Sequence, residues 1–237
     1  MQVPISISPN PLFTSTVEIR FTTDINRFDL LQKMNSVFRD EFPIIEEGKI
    51  PHDLKEQEEQ FRYAADFVLK NNDFSISFGT RSISFENVSE YKYWDNYFTL
   101  ITKSLKKVFD LKFIEGIERC GVRYGSMLDG HKAPDNILID LPKLQINQLN
   151  SKFCGFQSIY NTDNSKLYLQ ISTNLKLVKD GVTKTGLYID IDASNTSPLK
   201  PNEDVFKIID NLHKDQKQLF FGLLKKEYLE TLNPKYS

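Results

Sequence analysis

Two aspartates one residue apart, in Tyr188-Ile189-Asp190-Ile191-Asp192, are the first residues here whose type and spacing could do chemistry. Alternate side chains of a strand leave opposite faces. Asp190 and Asp192 therefore share a side with Tyr188, while Leu187, Ile189 and Ile191 take the other. Two carboxylates about 7 Å apart along a strand are hard oxygen ligands of the kind that hold a divalent cation in phosphoryl transfer. Such a site also wants a third acid and a phosphate-binding cation at a set spacing, and the sequence shows neither. The simpler reading is a solvated strand face.

A second constellation is Arg119 and Arg123, which an extended chain places on one face with Ile117 and Gly121. Two guanidiniums flanking a glycine leave room for an anion or a flat ligand to approach the backbone. Pairing with Glu18 or Glu118 and with neighbouring strands is the structural alternative. Lys103, Lys106, Lys107 and Lys112 form a basic helix side, but Trp94, Phe98 and Phe109 fall on the apolar stripe of that helix. A nucleic-acid surface would interleave its aromatics with the lysines, so a solvated face is expected. Tyr168, Tyr188 and Gln170 could make a recognition surface on a sheet, or pack across strands.

Several strong signatures are missing from the sequence. It has no Gly-x-Gly-x-x-Gly, no phosphate loop ending in Gly-Lys-Ser/Thr, no His-Glu-x-x-His and no Gly-x-Ser-x-Gly. His52, His131 and His213 stand apart in polar surroundings and read as solvated imidazoles. Cys120 and Cys154 are too far apart for a local zinc site and read as free, buried thiols in strands. No metal ligand set and no cofactor is expected.

The elements that would position these residues follow from periodicity. Val17, Ile19 and Phe21 alternate with Glu18, Arg20 and Thr22 as in a half-buried strand. Asn26 can cap a helix carrying Leu30, Leu31, Met34, Val37 and Phe38, which Pro43 stops. Residues 44–59 read as a polar loop, and strands are expected at 61–69, 74–79 and 81–87, the last two joined at Gly79-Thr80. Trp94, Phe98, Ile101, Leu105 and Val108 then recur at helical spacing. A strand from Ile114 to Tyr124, a weak helix over 135–150 broken by Pro142, strands at 153–160, 166–173 and 186–192, and a helix over 202–229 complete the chain. Strand, helix, three strands, helix thus occurs twice. Val17-Glu18-Ile19-Arg20-Phe21 also echoes Cys120-Gly121-Val122-Arg123-Tyr124. The reading is α+β, with similar halves at 1–112 and 113–237 and antiparallel sheets.

The last helix carries Val205, Ile208, Ile209, Leu212, Leu219, Phe220, Leu223 and Leu224 on one stripe, interrupted at Asp215–Gln216. Roughly 28 residues would span about 42 Å. A half-chain of about 100 residues has a radius of gyration near 13 Å. Such a helix lies across its own sheet, projects, or packs on a second copy.

Composition bounds the rest. The 237 residues hold 30 Lys+Arg and 32 Asp+Glu, a net charge of −2, with 40% hydrophobic residues. That is too apolar for global disorder and argues against a generally nucleic-acid-coating surface, while leaving room for a local basic patch. No run approaches 18 apolar residues, and Met1 to Phe13 does not read as a secretion signal. A cytoplasmic protein is expected, with no membrane partner.

Asn10-Pro11-Leu12 leads into the Val17–Phe21 strand, Tyr91-x-x-Trp94 starts the central helix, and the next strand reads Ile117-Glu118-Arg119-Cys120-Gly121-Val122-Arg123-Tyr124. This collinear set resembles a sporadically distributed family of bacterial and archaeal proteins. Those proteins share a Pro-led N-terminal strand carrying a Glu, a Tyr-x-x-Trp helix start and an Ile-x-Arg-x-Gly-x-Arg-Tyr strand. The likeness covers roughly the first 125 residues. It implies a mobile or defence-associated gene setting and carries over no catalytic residue.

The functional expectation is a non-enzymatic binding or scaffold protein, homo-oligomeric through its last helix and sheet edges, with a possible protein partner. Two alternatives stand beside it. One is a metal-dependent enzyme acting on nucleotide or nucleic acid through Asp190 and Asp192. The other is a sensor holding a small anion with Arg119 and Arg123; the residues expected to contact a ligand or partner are Arg119, Arg123, Tyr188, Asp190 and Asp192.

Overall fold

Alternation in β1 (Leu12–Thr22) buries Ser15, Val17, Ile19 and Phe21 and leaves Thr16, Glu18 and Arg20 half-exposed on the opposite face. The computed structural model describes residues 2–91, 93–130, 132–141, 145–146, 149–150, 152–179, 181–201 and 204–236. Asn26 caps α1 (Arg27–Phe38), its Oδ1 accepting from the amides of Phe28 and Asp29 at 3.0 Å each, and Leu30, Met34 and Phe38 are buried. Then follow β2 (Ile44–Glu47), α2 (His52–Gln57), a 3₁₀ turn at Glu59–Phe61, and β3 (Phe67–Lys70).

This corrects the reading of 44–59 as loop and of 61–69 as strand. Ile44 and Ile45 gain strand structure only by pairing with Lys70 and Leu69, a partnership invisible to local periodicity. The chain between the 3₁₀ turn and β3 instead curls so that the Asp66 amide donates to Phe78 O and its carbonyl accepts from Gly48 N.

β4 (Phe74–Gly79) and β5 (Ser82–Asn87) form the expected hairpin, with Gly79 opposite Ser82. Strand β5 pairs antiparallel with β1, Phe85 opposite Val17 and Ile83 opposite Ile19. In α3 (Tyr93–Asp110), Tyr97, Ile101, Leu105 and Val108 are buried at spacings of four, four and three. The buried Tyr97 hydroxyl donates to Phe85 O at 2.6 Å, which removes the cost of hiding it.

β6 (Gly116–Asp129), β7 (Gln145–Ile146), β8 (Leu149–Asn150), β9 (Gly155–Asn161), β10 (Ser165–Lys179) and β11 (Val182–Asn195) complete the strands. The helix expected over 135–150 is replaced, among the described residues, by a 3₁₀ turn at Ala133–Asn136 and the small β7–β8 pair; residues 142–144 and 147–148 lie outside the described set. Pro134 suits the first positions of a short turn, and two prolines eight residues apart leave no uninterrupted helical stretch between.

Among the described residues, a large antiparallel sheet of nine strands in the order β2-β3-β4-β5-β1-β6-β11-β10-β9, with five helices, makes this an α+β protein. No helix among the described residues is long and apolar enough to cross a membrane.

The long C-terminal helix divides in two. α4 (Asp204–Leu223) ends where Leu224 bridges to Ile137, Leu138 N donates to Leu223 O, and Lys225 N donates to Asn136 O; α5 (Lys226–Thr231) then restarts. Twenty residues reach about 30 Å rather than 42 Å. Its stripe is already covered by the same chain: Val205, Ile209, Leu212, Phe220, Leu223 and Leu224 are all buried. So is Gln216, and Asp215 accepts from Ser165 Oγ at 2.6 Å, so the polar interruption also faces protein.

The chain forms two compact units. One comprises Ser15–Val122 and Ser194–Leu212, the other Met1–Thr14, Arg123–Ala193 and His213–Ser237. The first has an aromatic core in which Phe74 meets Phe42, Phe85 and Tyr97 at centroid distances of 6.1, 6.1 and 5.8 Å. The second has an aliphatic core of Leu167, Leu169, Ile171, Leu187, Ile189 and Ile191. There the N-terminal segment is strapped to the C-terminal one by Ile5 N to Lys235 O and Ser8 N to Leu232 O, both 2.7 Å.

Candidate functional site

β11 has the expected faces. Leu187, Ile189 and Ile191 are fully buried, while Tyr188 and Asp192 are half-buried on the opposite side. Asp190 is engaged by Arg123 of β6 through a two-pronged pair, Nε to Oδ1 at 2.9 Å and Nη2 to Oδ2 at 2.6 Å. The planar guanidinium fork matches a carboxylate edge, and both Asp190 oxygens are taken by it. Hydrogen bonding to Asp190, opposed by partial burial and reinforced by the charge of Asp190 and then Asp192, raises the Arg123 pKa further above its ordinary value.

The Tyr188 ring lies over Gly125, its hydroxyl 3.4 Å from Thr14 Oγ1, and burial raises its pKa. A side chain at position 125 would run into that hydroxyl and sit 2.6 Å from both Tyr188 Cζ and Thr14 Oγ1. The cluster is therefore Arg123, Asp190 and Tyr188, with Thr14 and Gly125 as members that the sequence reading missed. Among the described residues no group of three or more His, Cys, Asp or Glu is placed to hold a metal ion. Tyr168 and Gln170 are half-buried and pair across to Ile159 and Gln157.

Arg119 does not join this cluster. Its Nη1 donates to Glu18 Oε1 at 2.9 Å, and the same oxygen accepts from Arg20 Nε at 2.6 Å. Arg20 stacks on the Tyr63 ring at 4.2 Å, and the Tyr63 hydroxyl donates to Glu118 Oε2 at 3.2 Å. The room expected over Gly121 is filled by Arg119 itself: a side chain at 121 would meet Arg119 Nη1 and lie 2.7 Å from Cζ. Ile117 is buried rather than sharing the arginine face, because alternation slips by one between Ile117 and Cys120, with Glu118 exposed and Arg119 half-buried.

The lysine side of α3 is used within the chain. Lys103 and Lys107 pair with Glu41 at 3.2 and 2.5 Å, and Lys106 lies 5.8 Å from the Phe206 ring. His213 is buried against Tyr124, ring centroids 5.6 Å apart, which corrects its reading as a solvated imidazole. Its helix buries a polar turn there, since Gln216 is also inside. His131 lies outside the described residues.

Both cysteines are free, but only Cys120 is buried; Cys154 is half-exposed just before β9. Burial pushes the Cys120 thiol up to about 12, against a smaller lowering by Arg119. At pH 8 its thiolate fraction is then ~10⁻⁴, and thiolate is the reactive form. A thiol reagent added to the native protein at pH 8 is expected to modify Cys154 promptly and Cys120 only after denaturant. Prompt labelling of both, read by peptide mass, would contradict this burial.

A group absent from the sequence reading lies in the first unit. The buried Asp66 carboxylate accepts from the buried Lys55 ammonium, with Arg27 Nε at 3.4 Å and His52 Nδ1 at 3.5 Å from Oδ1. The available signal was one acid inside Ala64-Ala65-Asp66-Phe67-Val68-Leu69, an apolar run where a lone charge demands partners. In the same unit a cleft of about 520 Å³ is lined by the β1–α1 connection, by α2 and by the β4–β5 turn, with Arg27, Arg62 and Arg81 on its walls. These arginines come from three segments with no shared spacing, so no motif announced them.

No protein-family model matches the chain, and no curated protein matches it.

Proposed function

We propose that this chain is a non-enzymatic, cytoplasmic binding and scaffold protein that self-associates through its β9 edge. One observation carries the reading. β9 ends the strand order, and residues 153–161, Phe-Cys-Gly-Phe-Gln-Ser-Ile-Tyr-Asn, contain no charge and no proline. Sheet edges are ordinarily guarded by lysine, proline or a bulge because their open backbone recruits other strands. Here Ile159 is 52% and Tyr160 38% exposed. The opposite edge, β2, carries Glu46 and Glu47.

The occupant this edge fits is a second copy. Phe156, Ser158 and Tyr160 sit opposite Ile171, Leu169 and Leu167 and so share the core-side face of the strand. A two-fold axis through Ser158 would set each Phe156 across from the partner subunit's Tyr160, an aromatic cross-strand pair, and each Gln157 across from the partner subunit's Ile159. No like charges meet. The two free cysteines suit the reducing compartment assumed.

The rival readings need contacts to break. A cation on Asp190 and Asp192 would have to displace Arg123, and an anion on Arg119 and Arg123 would have to compete with Glu18 and Asp190.

Sedimentation or native mass spectrometry of the intact chain tests the reading. The wild-type protein is expected to dimerise. Gln157→Lys/Ile159→Lys, which sets lysines opposite one another, should weaken the dimer at least about tenfold. Gln157→Glu/Ile159→Lys should restore it by opposing unlike charges. A wild-type monomer, or a dimer indifferent to both variants, would overturn the β9 interface.

A further inference from the structure

We infer that the cleft walled by Arg27, Arg62 and Arg81 is a binding site for a small phosphate-bearing, hydroxyl-bearing molecule. The cleft shares no residue with the β9 edge. Its size, about 520 Å³, falls in the range of small-molecule sites. Three arginines line it, from the start of α1, the segment after the 3₁₀ turn, and the β4–β5 turn. Arginine is the side chain whose planar fork matches phosphate oxygens.

These arginines are anchored without being used up. Arg81 Nη2 lies 3.4 Å from Glu56 Oε2, Arg62 Nη1 lies 3.2 Å from Glu59 Oε1, and Arg27 lies 3.4 Å from Asp66 and 3.9 Å from Glu47. Each guanidinium has five N–H donors, so most remain for a ligand. A second observation points the same way. Arg62, which lines this cleft, has a buried Nε that makes no hydrogen bond to any described residue, whereas Arg27 Nε faces Asp66 Oδ1 at 3.4 Å. A buried donor without an acceptor is rare, and an oxyanion held against Arg62 supplies one.

The other lining groups say what the anion is attached to. Asp24, Glu56 and Glu118 also border the cleft and balance the three arginines, so a bare anion meets no net positive field. Carboxylates and the hydroxyls of Thr22 and Thr80 suit the hydroxyls of an organic moiety instead. A phosphate on the arginines and sugar-like hydroxyls on the acids would use both kinds of wall. A sugar phosphate and a nucleoside monophosphate share this chemistry.

The test is calorimetric titration of the full chain with ribose 5-phosphate, adenosine monophosphate, ribose and inorganic phosphate. At least one of the first two is expected to bind, with ribose and inorganic phosphate each at least about tenfold weaker. The phosphate ester that binds tighter identifies the source. Arg62→Gln and Arg81→Gln, whose acidic partners are exposed, should each weaken binding about tenfold while thermal unfolding stays unchanged. Arg39→Gln, an exposed arginine elsewhere on the surface, should leave it intact. Failure of both phosphate esters to bind at millimolar concentration would overturn the site, as would affinity that survives both arginine variants. Equal binding of inorganic phosphate would overturn the hydroxyl-bearing assignment.

Discussion

Asp66→Ala is expected to lower stability to urea unfolding by about 3–5 kcal/mol, the largest loss among the charged residues considered, because it orphans a buried ammonium. Asp66 is 4% and Lys55 5% exposed. Without the carboxylate, Lys55 keeps, among the described residues, Ala64 O at 3.4 Å and Ala65 O at 3.3 Å, too long and too few for an ammonium out of water. Arg27 and His52 lose the same partner. Lys55→Met should cost less, since Asp66 still faces Arg27 and His52 and methionine replaces the lysine stem. By contrast, removing Lys103 from its exposed pair with Glu41 should change stability by less than about 1 kcal/mol. A loss below about 1 kcal/mol for Asp66→Ala, at unchanged denaturant slope, would show that this carboxylate does not hold the cluster.

The same residue marks the boundary of what the sequence makes legible. β1 and α3 are readable because their signals are local: alternation through Val17, Ile19 and Phe21, and three-four spacing through Ile101, Leu105 and Val108, although at the start of α3 the buried residue is Tyr97 and the expected Trp94 and Phe98 are only half-buried. β2 is not, since Ile44 and Ile45 become a strand only against β3, more than twenty residues away. The end of α4 at Leu223 is likewise set by Asn136, Ile137 and Leu138, which supply backbone partners to the segment that leaves the helix. An amphipathic stripe running on through Leu224 does not register that competition.

The candidate site shows the same division. One-sidedness of Tyr188, Asp190 and Asp192 follows from the period of a strand, and the structure keeps it. Which arginine answers Asp190 does not follow. Arg119 and Arg123 are equivalent by spacing, yet one turns to Glu18 and the other to Asp190, a choice made by the neighbouring strands. The Arg27, Arg62 and Arg81 cleft needs three separate backbone segments to be placed before it exists at all.

Gly125→Ala is expected to cost about 1–3 kcal/mol, and to do so only while Tyr188 is present. The added methyl would collide with the Tyr188 hydroxyl and approach both Tyr188 Cζ and Thr14 Oγ1 to 2.6 Å, far inside van der Waals contact. Relief requires the ring to lift from the strand and give up its contact with Thr14 beside the Arg123–Asp190 pair. In a Tyr188→Ala background the closest obstacle is gone, and the remaining one, Thr14 Oγ1 at 2.6 Å, is the tip of an exposed side chain that can rotate away. Alanine in place of a strand glycine then costs nothing or gains about 0.5–1 kcal/mol from the reduced freedom of the unfolded chain. The four-protein cycle should therefore show a coupling of about 2 kcal/mol between positions 125 and 188, read from denaturant unfolding. An identical penalty in both backgrounds would mean that the ring does not rest on Gly125. A ring seated there holds Tyr188 as a fixed wall beside Arg123, so a partner reaching this face meets a preformed surface of one tyrosine and one carboxylate-clamped arginine rather than mobile side chains.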